Sequence, residues 1–220
     1  QPDLPNVLII GDSISIGYTL FVRHILKGKA NVFRPVSNGN PQNCGSTVTG
    51  LDRMEEWLKT QGVDRWDVIH FNFGLHDLKR IKPGTSRLKA NDPSVPPAIS
   101  MAQYGENLEK LLVPLKKTGA KLIFATTTAY PEGVVPCRLV DDAVRYNDVA
   151  VGIMKKHGVA VNDLYEFTAP RIEELMIPGN VHFHDPGSWE IAQLVSSAVT
   201  RALGIDPPEY SAFKSSKEYR

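Results

Sequence analysis

Cysteine is scarce in this chain: 220 residues hold two, Cys44 and Cys137. Two thiols cannot form the framework of a disulfide-rich scaffold, and their spacing matches no metal site. One bridge between them and two free thiols are both open readings. Long apolar runs are missing as well. Stretches such as Val7–Ile10 have strand length, well short of the roughly 18 residues that a membrane span needs. No charge of one sign dominates either, with 25 Lys and Arg against 24 Asp and Glu, so bulk charge gives no reason to expect a nucleic-acid partner. Of the six histidines, His182 and His184 alternate, but no third ligand of matching spacing accompanies them, and no metal or other cofactor is expected. An initiator Met is absent too. A start at Gln1-Pro2 fits signal removal or a trimmed chain, and a secreted or periplasmic location is favoured over a cytoplasmic one.

What is present is the alternation of an α/β protein. Strand-length apolar runs occur at Asn6–Gly11, Asn31–Val36, Asp67–Phe73, Lys121–Thr127 and Val159–Asn162. Stretches of helical period lie between and after them at Thr19–Leu26 and at about 47–60, 101–117, 139–157 and 188–203. Continuous apolar strands separated by helices imply a parallel sheet covered on both faces. With right-handed crossovers, five strands give a three-layer α/β/α sandwich. A flavodoxin-like sheet order 2-1-3-4-5 is expected, with ligands at the carboxyl ends of the strands. Residues 1–205 read as one domain and 206–220 as a polar extension outside its core. Residues 79–100, with four prolines and no apolar period, read as a long loop on the active edge. Lys79, Arg80, Lys82, Arg87 and Lys89 face only Asp92 there. Such a run either attracts an anionic glycan or is a solvated face.

Four segments fall just beyond the expected strand ends or just before the last helix: Asp12-Ser13, Asn43-Cys44-Gly45, Gly74-Leu75-His76-Asp77, and Asn180-Val181-His182-Phe183-His184. A serine after a glycine turn is often only a helix cap. Combined with histidines on the same rim, it becomes a candidate nucleophile, because a hydroxyl needs an imidazole to take its proton and N–H donors for the developing oxyanion. His70, inside a strand, reads as a core residue. Asp12 and Asp77 read as carboxylates that tie down their turns.

These blocks, Gly11-Asp12-Ser13, Gly45, Gly74-Leu75-His76-Asp77 and His182 followed by Gly187, resemble the ordered blocks of the SGNH/GDSL hydrolase family, from residue 7 to about 200. The segment Trp66–Lys79 is similar to a bacterial branch associated with polysaccharide breakdown. The resemblance implies Ser13 as nucleophile and His182 as general base, with oxyanion donors from the amides of Ser13 and Gly45. The third donor is normally an Asn side chain; His76 stands in its place. The family's Asp lies three residues before the base, and here that position is Gly179. Candidates for orienting His182 are Asn180, a backbone carbonyl, or Asp185. His184 and Trp189 are candidates to line the substrate pocket, Trp189 by stacking on a sugar.

The reaction implied is serine-esterase removal of a small acyl group, expected to be acetyl, from a carbohydrate through an acyl-enzyme. The alternatives are a lipolytic esterase or thioesterase, and a non-catalytic glycan-binding relative. The expected partner is a small-molecule or glycan ester, with neither nucleic acid nor membrane.

Overall fold

The structure, a computed structural model, describes residues 3–80, 92–210, 212–213 and 216–219. Among these residues seven strands are formed: β1 (Asn6–Ile10), β2 (Asn31–Phe33), β3 (Val36–Ser37), β4 (Asn40–Pro41), β5 (Val68–Phe71), β6 (Lys121–Ala125) and β7 (Ala160–Asn162). Five of them make one parallel sheet in the order β2-β1-β5-β6-β7. Leaving out the β3-β4 hairpin, this is the 2-1-3-4-5 order expected from the sequence. Register pairs Val7 with Val68 and Ile10 with Phe71. Val7–Ile10 and Val68–Phe71 are buried throughout, as strands covered on both faces must be.

The described residues also form seven α-helices: α1 (Ser13–Ile25), α2 (Thr47–Leu58), α3 (Met101–Lys117), α4 (Val140–Lys156), α5 (Leu164–Thr168), α6 (Ile172–Leu175) and α7 (Asp185–Leu203). Helix α1 packs on α7, while α2 packs on α3 and α3 on α4, giving the two outer layers. Helical period explains the buried stripes: Ile14, Tyr18, Phe21, Val22 and Ile25 on α1, and Tyr104, Leu108, Leu111, Leu112 and Leu115 on α3. Burying one such side chain stabilises by about 1.5–3 kcal/mol.

Helix α1 starts six residues before the apolar period at Thr19. Ser13, Ser15 and Gly17 disguise its first turns, which the Asp12 carboxylate caps by accepting from Ile14 N–H at 2.9 Å. Helix α7 likewise begins at Asp185, because Pro186 is tolerated in a first turn. The expected strand Asn31–Val36 stops at Phe33 and gives way to the hairpin, whose turn places Asn38 and Gly39 at φ 50° and 76°. An Asn-Gly pair suits that turn. Helices α5 and α6 had no place in the sequence reading.

The tail after Asp206 is not detached. Pro208 is buried, Phe213 lies 6.2 Å from Phe21 and 6.3 Å from Trp189 between ring centroids, and the Tyr210 hydroxyl bonds Ser197 and the Gln193 carbonyl. Phe213 thus packs against one aromatic ring of α1 and one of α7, and Tyr210 is tied to α7 by its hydroxyl. Cys44 and Cys137 are free thiols, Cys44 buried. Burial pushes the Cys44 thiol up to about 11.

Candidate active site

Ser13 is the first residue of α1, immediately after the Gly11-Asp12 turn that ends β1. Its amide is among the first N–H groups of a helix, which have no intrahelical acceptor. Its hydroxyl lies 2.8 Å from His182 Nε2.

The segment carrying His182 is pinned on both sides. Its carbonyl accepts from Ile177 N–H at 2.9 Å, Asn180 N–H donates to the Ile177 carbonyl at 3.0 Å, and Met176 bridges Phe183. The Asn180 side chain then decides the protonation of the ring. Asn180 Oδ1 accepts from the His182 backbone N–H at 3.1 Å and lies 2.7 Å from His182 Nδ1. A backbone N–H can only donate, so the atom facing it must be the oxygen, and the same oxygen must receive Nδ1–H. Nε2 is left with its lone pair toward Ser13 Oγ–H, the arrangement a general base requires.

Of the candidates for orienting His182, Asn180 is the one that contacts Nδ1, while Asp185 is placed at the start of the last helix. A carboxylate there complements the positive end of the helix. Gly179 sits at φ 66°, where any side chain is strained by roughly 1–2 kcal/mol, and an added Cβ would meet no atom within 4 Å.

The segment Gly45–Thr47 is brought to the site by buried polar ties. Arg34, buried, donates to Ser15 Oγ at 3.3 Å, to Thr19 Oγ1 at 2.8 Å and to the carbonyls of Gly11 and Gln42 at 3.4 and 2.8 Å. Cys44 N–H donates to the Gly11 carbonyl at 3.1 Å. Thr47 donates its N–H to Asp77 Oδ1 at 3.0 Å and its hydroxyl to the same oxygen at 2.5 Å. Asp77 therefore joins the second block to the third. Burial pushes its carboxyl up to about 7 despite those hydrogen bonds. The Gly45 amide differs from its expected role: it donates to Asn43 Oδ1 at 3.0 Å. An Asn side chain commonly closes a turn onto the backbone two residues on, and here that turn occupies the N–H.

His76 lies on the Gly74–Leu78 turn, where Asp77 N–H and Leu78 N–H both donate to the Gly74 carbonyl, at 2.7 and 3.0 Å. Gly74 is required there, since at φ 151° an added Cβ would collide with Thr127 Oγ1. Arg138, 4% exposed, holds the turn from beneath, donating from Nε to the Leu75 carbonyl at 2.7 Å and from Nη1 to the Pro136 carbonyl at 3.0 Å. His76 is not cationic. Desolvation, reinforced by the charges of Lys79, Arg138 and His182, pushes its imidazole down to about 3.

The two proposed pocket residues have other duties. His184 caps α7, accepting from Gly187 N–H at Nδ1 (3.3 Å) and donating from Nε2 to the Glu174 carbonyl. Trp189 is 3% exposed, with its ring 5.7 Å from Phe21 and edge-on to it, so it has no face for a sugar. Arg80 is not part of a solvated basic face. It is buried and pairs with Asp142 at 2.5 Å. Lys82, Arg87 and Lys89 lie outside the described residues. His70 is buried in β5, as expected of a core residue, with Nε2 3.2 Å from Asn162 Nδ2, and its imidazole is pushed down to about 4 by burial.

Among the described residues no group of three or more His, Cys, Asp or Glu could hold a metal ion. A cavity of about 10 Å³ beneath the nucleophile turn, lined by Asp12, Ser15, Tyr18, Asn72 and Thr126, has room for about one water. A much larger groove, about 590 Å³, lies beside Lys116, Lys121 and His157. Lys121 begins β6, so this groove is at the amino ends of the strands, away from Ser13. The residues missed from sequence were Arg34 and Arg138, positively charged groups whose local patterns look like ordinary surface positions, while Lys79, read only as part of the basic run, lies 2.9 Å from His76 Nδ1.

The sequence matches no family model and no curated protein. Solved structures do match. A lipase/acylhydrolase from Enterococcus faecalis superposes with a TM-score of 0.69 at 20% identity, covering 94% of this chain and 100% of that one. An acetylxylan esterase from Geobacillus stearothermophilus gives 0.67 at 16% identity, covering 94% and 97%. A member of the lipolytic G-D-S-L family from Veillonella parvula gives 0.61 at 20% identity, covering 89% and 98%. At these identities the likeness is one of fold, and the fold of this chain is that of the SGNH/GDSL hydrolases.

Proposed function

We propose that the chain is an SGNH/GDSL-type serine hydrolase that cleaves a carboxylic ester, removing a small acyl group, acetyl, from a carbohydrate. The observation that carries this reading is the chain of contacts from Ser13 Oγ through His182 to Asn180, 2.8 and 2.7 Å long, with the ring tautomer fixed by Asn180. Ser13 Oγ attacks the ester carbonyl while His182 Nε2 takes its proton. The tetrahedral oxyanion is met by the Ser13 amide at the α1 terminus and by His76. Collapse expels the sugar alcohol, which receives the proton from His182, and water repeats the cycle to release the acid. Support for the acetylated sugar comes from the acetylxylan esterase fold likeness and from Trp66–Lys79.

The test is release of p-nitrophenol from acetyl and octanoyl esters by wild type and Ser13→Ala. Hydrolysis of the acetyl ester that is lost in Ser13→Ala supports the reading. A preference for octanoate would replace it with a lipolytic enzyme, and equal background rates for both proteins would reject catalysis. Acetylated xylan then tests the carbohydrate specificity.

A further inference from the structure

The site holds two imidazoles that need opposite tautomers, one to accept a proton and one to donate a hydrogen bond. Asn180 fixes the first. For the second, the partner of His76 is Lys79, with Nζ 2.9 Å from Nδ1. An ammonium group has donors and no acceptor, and Lys is the more basic of the pair, with ordinary values of about 10.4 against about 6.5. The shared proton therefore stays on Nζ, and Nδ1 must present its lone pair. The ring hydrogen is then confined to Nε2.

We propose that Lys79 is a positioning residue for catalysis: its contact with Nδ1 locks His76 as the Nε2–H tautomer and polarises that N–H as the oxyanion donor. The inference rests on the esterase reading for its catalytic consequence, but not for the tautomer. Three further features agree with it. Lys79 lies three residues after His76, just past the same turn, so the contact is local and needs no distant loop to form. The peptide that follows the lysine is held at both its polar groups, Arg80 N–H donating to the Cys137 carbonyl at 3.0 Å and the Lys79 carbonyl accepting from Ala98 N–H at 2.6 Å. His76 is held neutral by its surroundings, so the ring has one N–H to place and its placement matters. An Asn side chain, the family's usual donor, needs no such help, because its NH₂ is always a donor.

The experiment pairs kinetics with ring-nitrogen NMR on ¹⁵N-histidine-labelled protein. In wild type the His76 resonances should show the Nε2–H tautomer across neutral pH. Lys79→Met should redistribute the ring proton and lower kcat on p-nitrophenyl acetate by about tenfold, with KM changed less than twofold. Lys79→Arg, which retains a donor, should keep the wild-type tautomer and recover kcat to within about threefold. A wild-type His76 protonated on Nδ1 would overturn the proposal, as would Lys79→Met with unchanged tautomer and rate. If Lys79→Met does not fold, the wild-type spectrum and the Arg variant still decide. If wild type hydrolyses no ester, the spectrum still reports the lock, so failure of the esterase reading is seen separately.

Discussion

Replacing Asn180 by Asp should convert neutral support of His182 into charged support, and its size can be worked out from the geometry. Asn180 Oδ1 is 2.7 Å from Nδ1 and 3.1 Å from the His182 backbone N–H. A carboxylate at the same place keeps both bonds and adds a negative charge about 4 Å from the imidazolium that forms as Ser13 gives up its proton. At that separation the attraction is about 4 kcal/mol at an effective dielectric constant of 20 and about 1 kcal/mol in water. Asn180 is exposed, which moves the value toward the lower limit, so about 1–2 kcal/mol is expected. Since 1.36 kcal/mol is tenfold in rate, Asn180→Asp should raise kcat by roughly 5- to 30-fold. The acidic limb of kcat/KM against pH should move up by about one unit, because the carboxylate favours the charged ring in the free enzyme too. Asn180→Ala should do the reverse, lowering kcat about tenfold through loss of the Nδ1 bond. The assay is initial-rate hydrolysis of p-nitrophenyl acetate from pH 5 to 9. A plateau rate and limb that are the same in all three proteins would refute the assignment of Asn180 as the residue that orients the base.

His76→Ala should lower kcat by roughly 10²- to 10³-fold, as removal of one oxyanion donor does, and burial of the ring predicts that its titration adds no limb to the wild-type pH–rate profile above about pH 4. Breaking the buried Arg80–Asp142 pair with Arg80→Met should cost about 3–5 kcal/mol, seen as a Tm drop of roughly 6–20 °C by thermal unfolding. Asp77 is raised on folding to about 7, so the folded state holds its proton more tightly than the unfolded state. Its contribution is present below about pH 4 and is lost as pH rises through about 7. Chemical denaturation should therefore show stability falling across that window in wild type and more weakly in Asp77→Asn. A thiol reagent should label Cys137 in the native protein, and Cys44 only after unfolding, since Cys44 is buried and its thiol is pushed up to about 11.

The sheet was legible in the sequence because a doubly covered parallel strand reads as a near-continuous apolar run, as Val7–Ile10 does throughout and Val68–Phe71 does apart from the buried His70. The ends of the helices were less so. Ser13–Gly17 lacks an apolar stripe of its own, and only the cap from Asp12 and the packing of α1 on α7 make it helical. Ser13, His76 and His182 could be selected as types of residue at strand ends and before the last helix, which is a property of chain order. Their chemistry could not, because a tautomer depends on which atom approaches a ring nitrogen. Asn180 reaches His182 across a turn pinned to Ile177, and Lys79 reaches His76 within its own loop, at distances of 2.7 and 2.9 Å. The same limit hid the opposite cases. Trp189 reads as a platform for a sugar until Phe21 of α1 and Phe213 of the tail pack against its ring, and the Gly45 amide reads as an open donor until Asn43 folds back onto it. Sequence order determined the fold and the cast of the site; three-dimensional approach at hydrogen-bond distance decided which atoms accept, which donate, and which residues are only scaffolding.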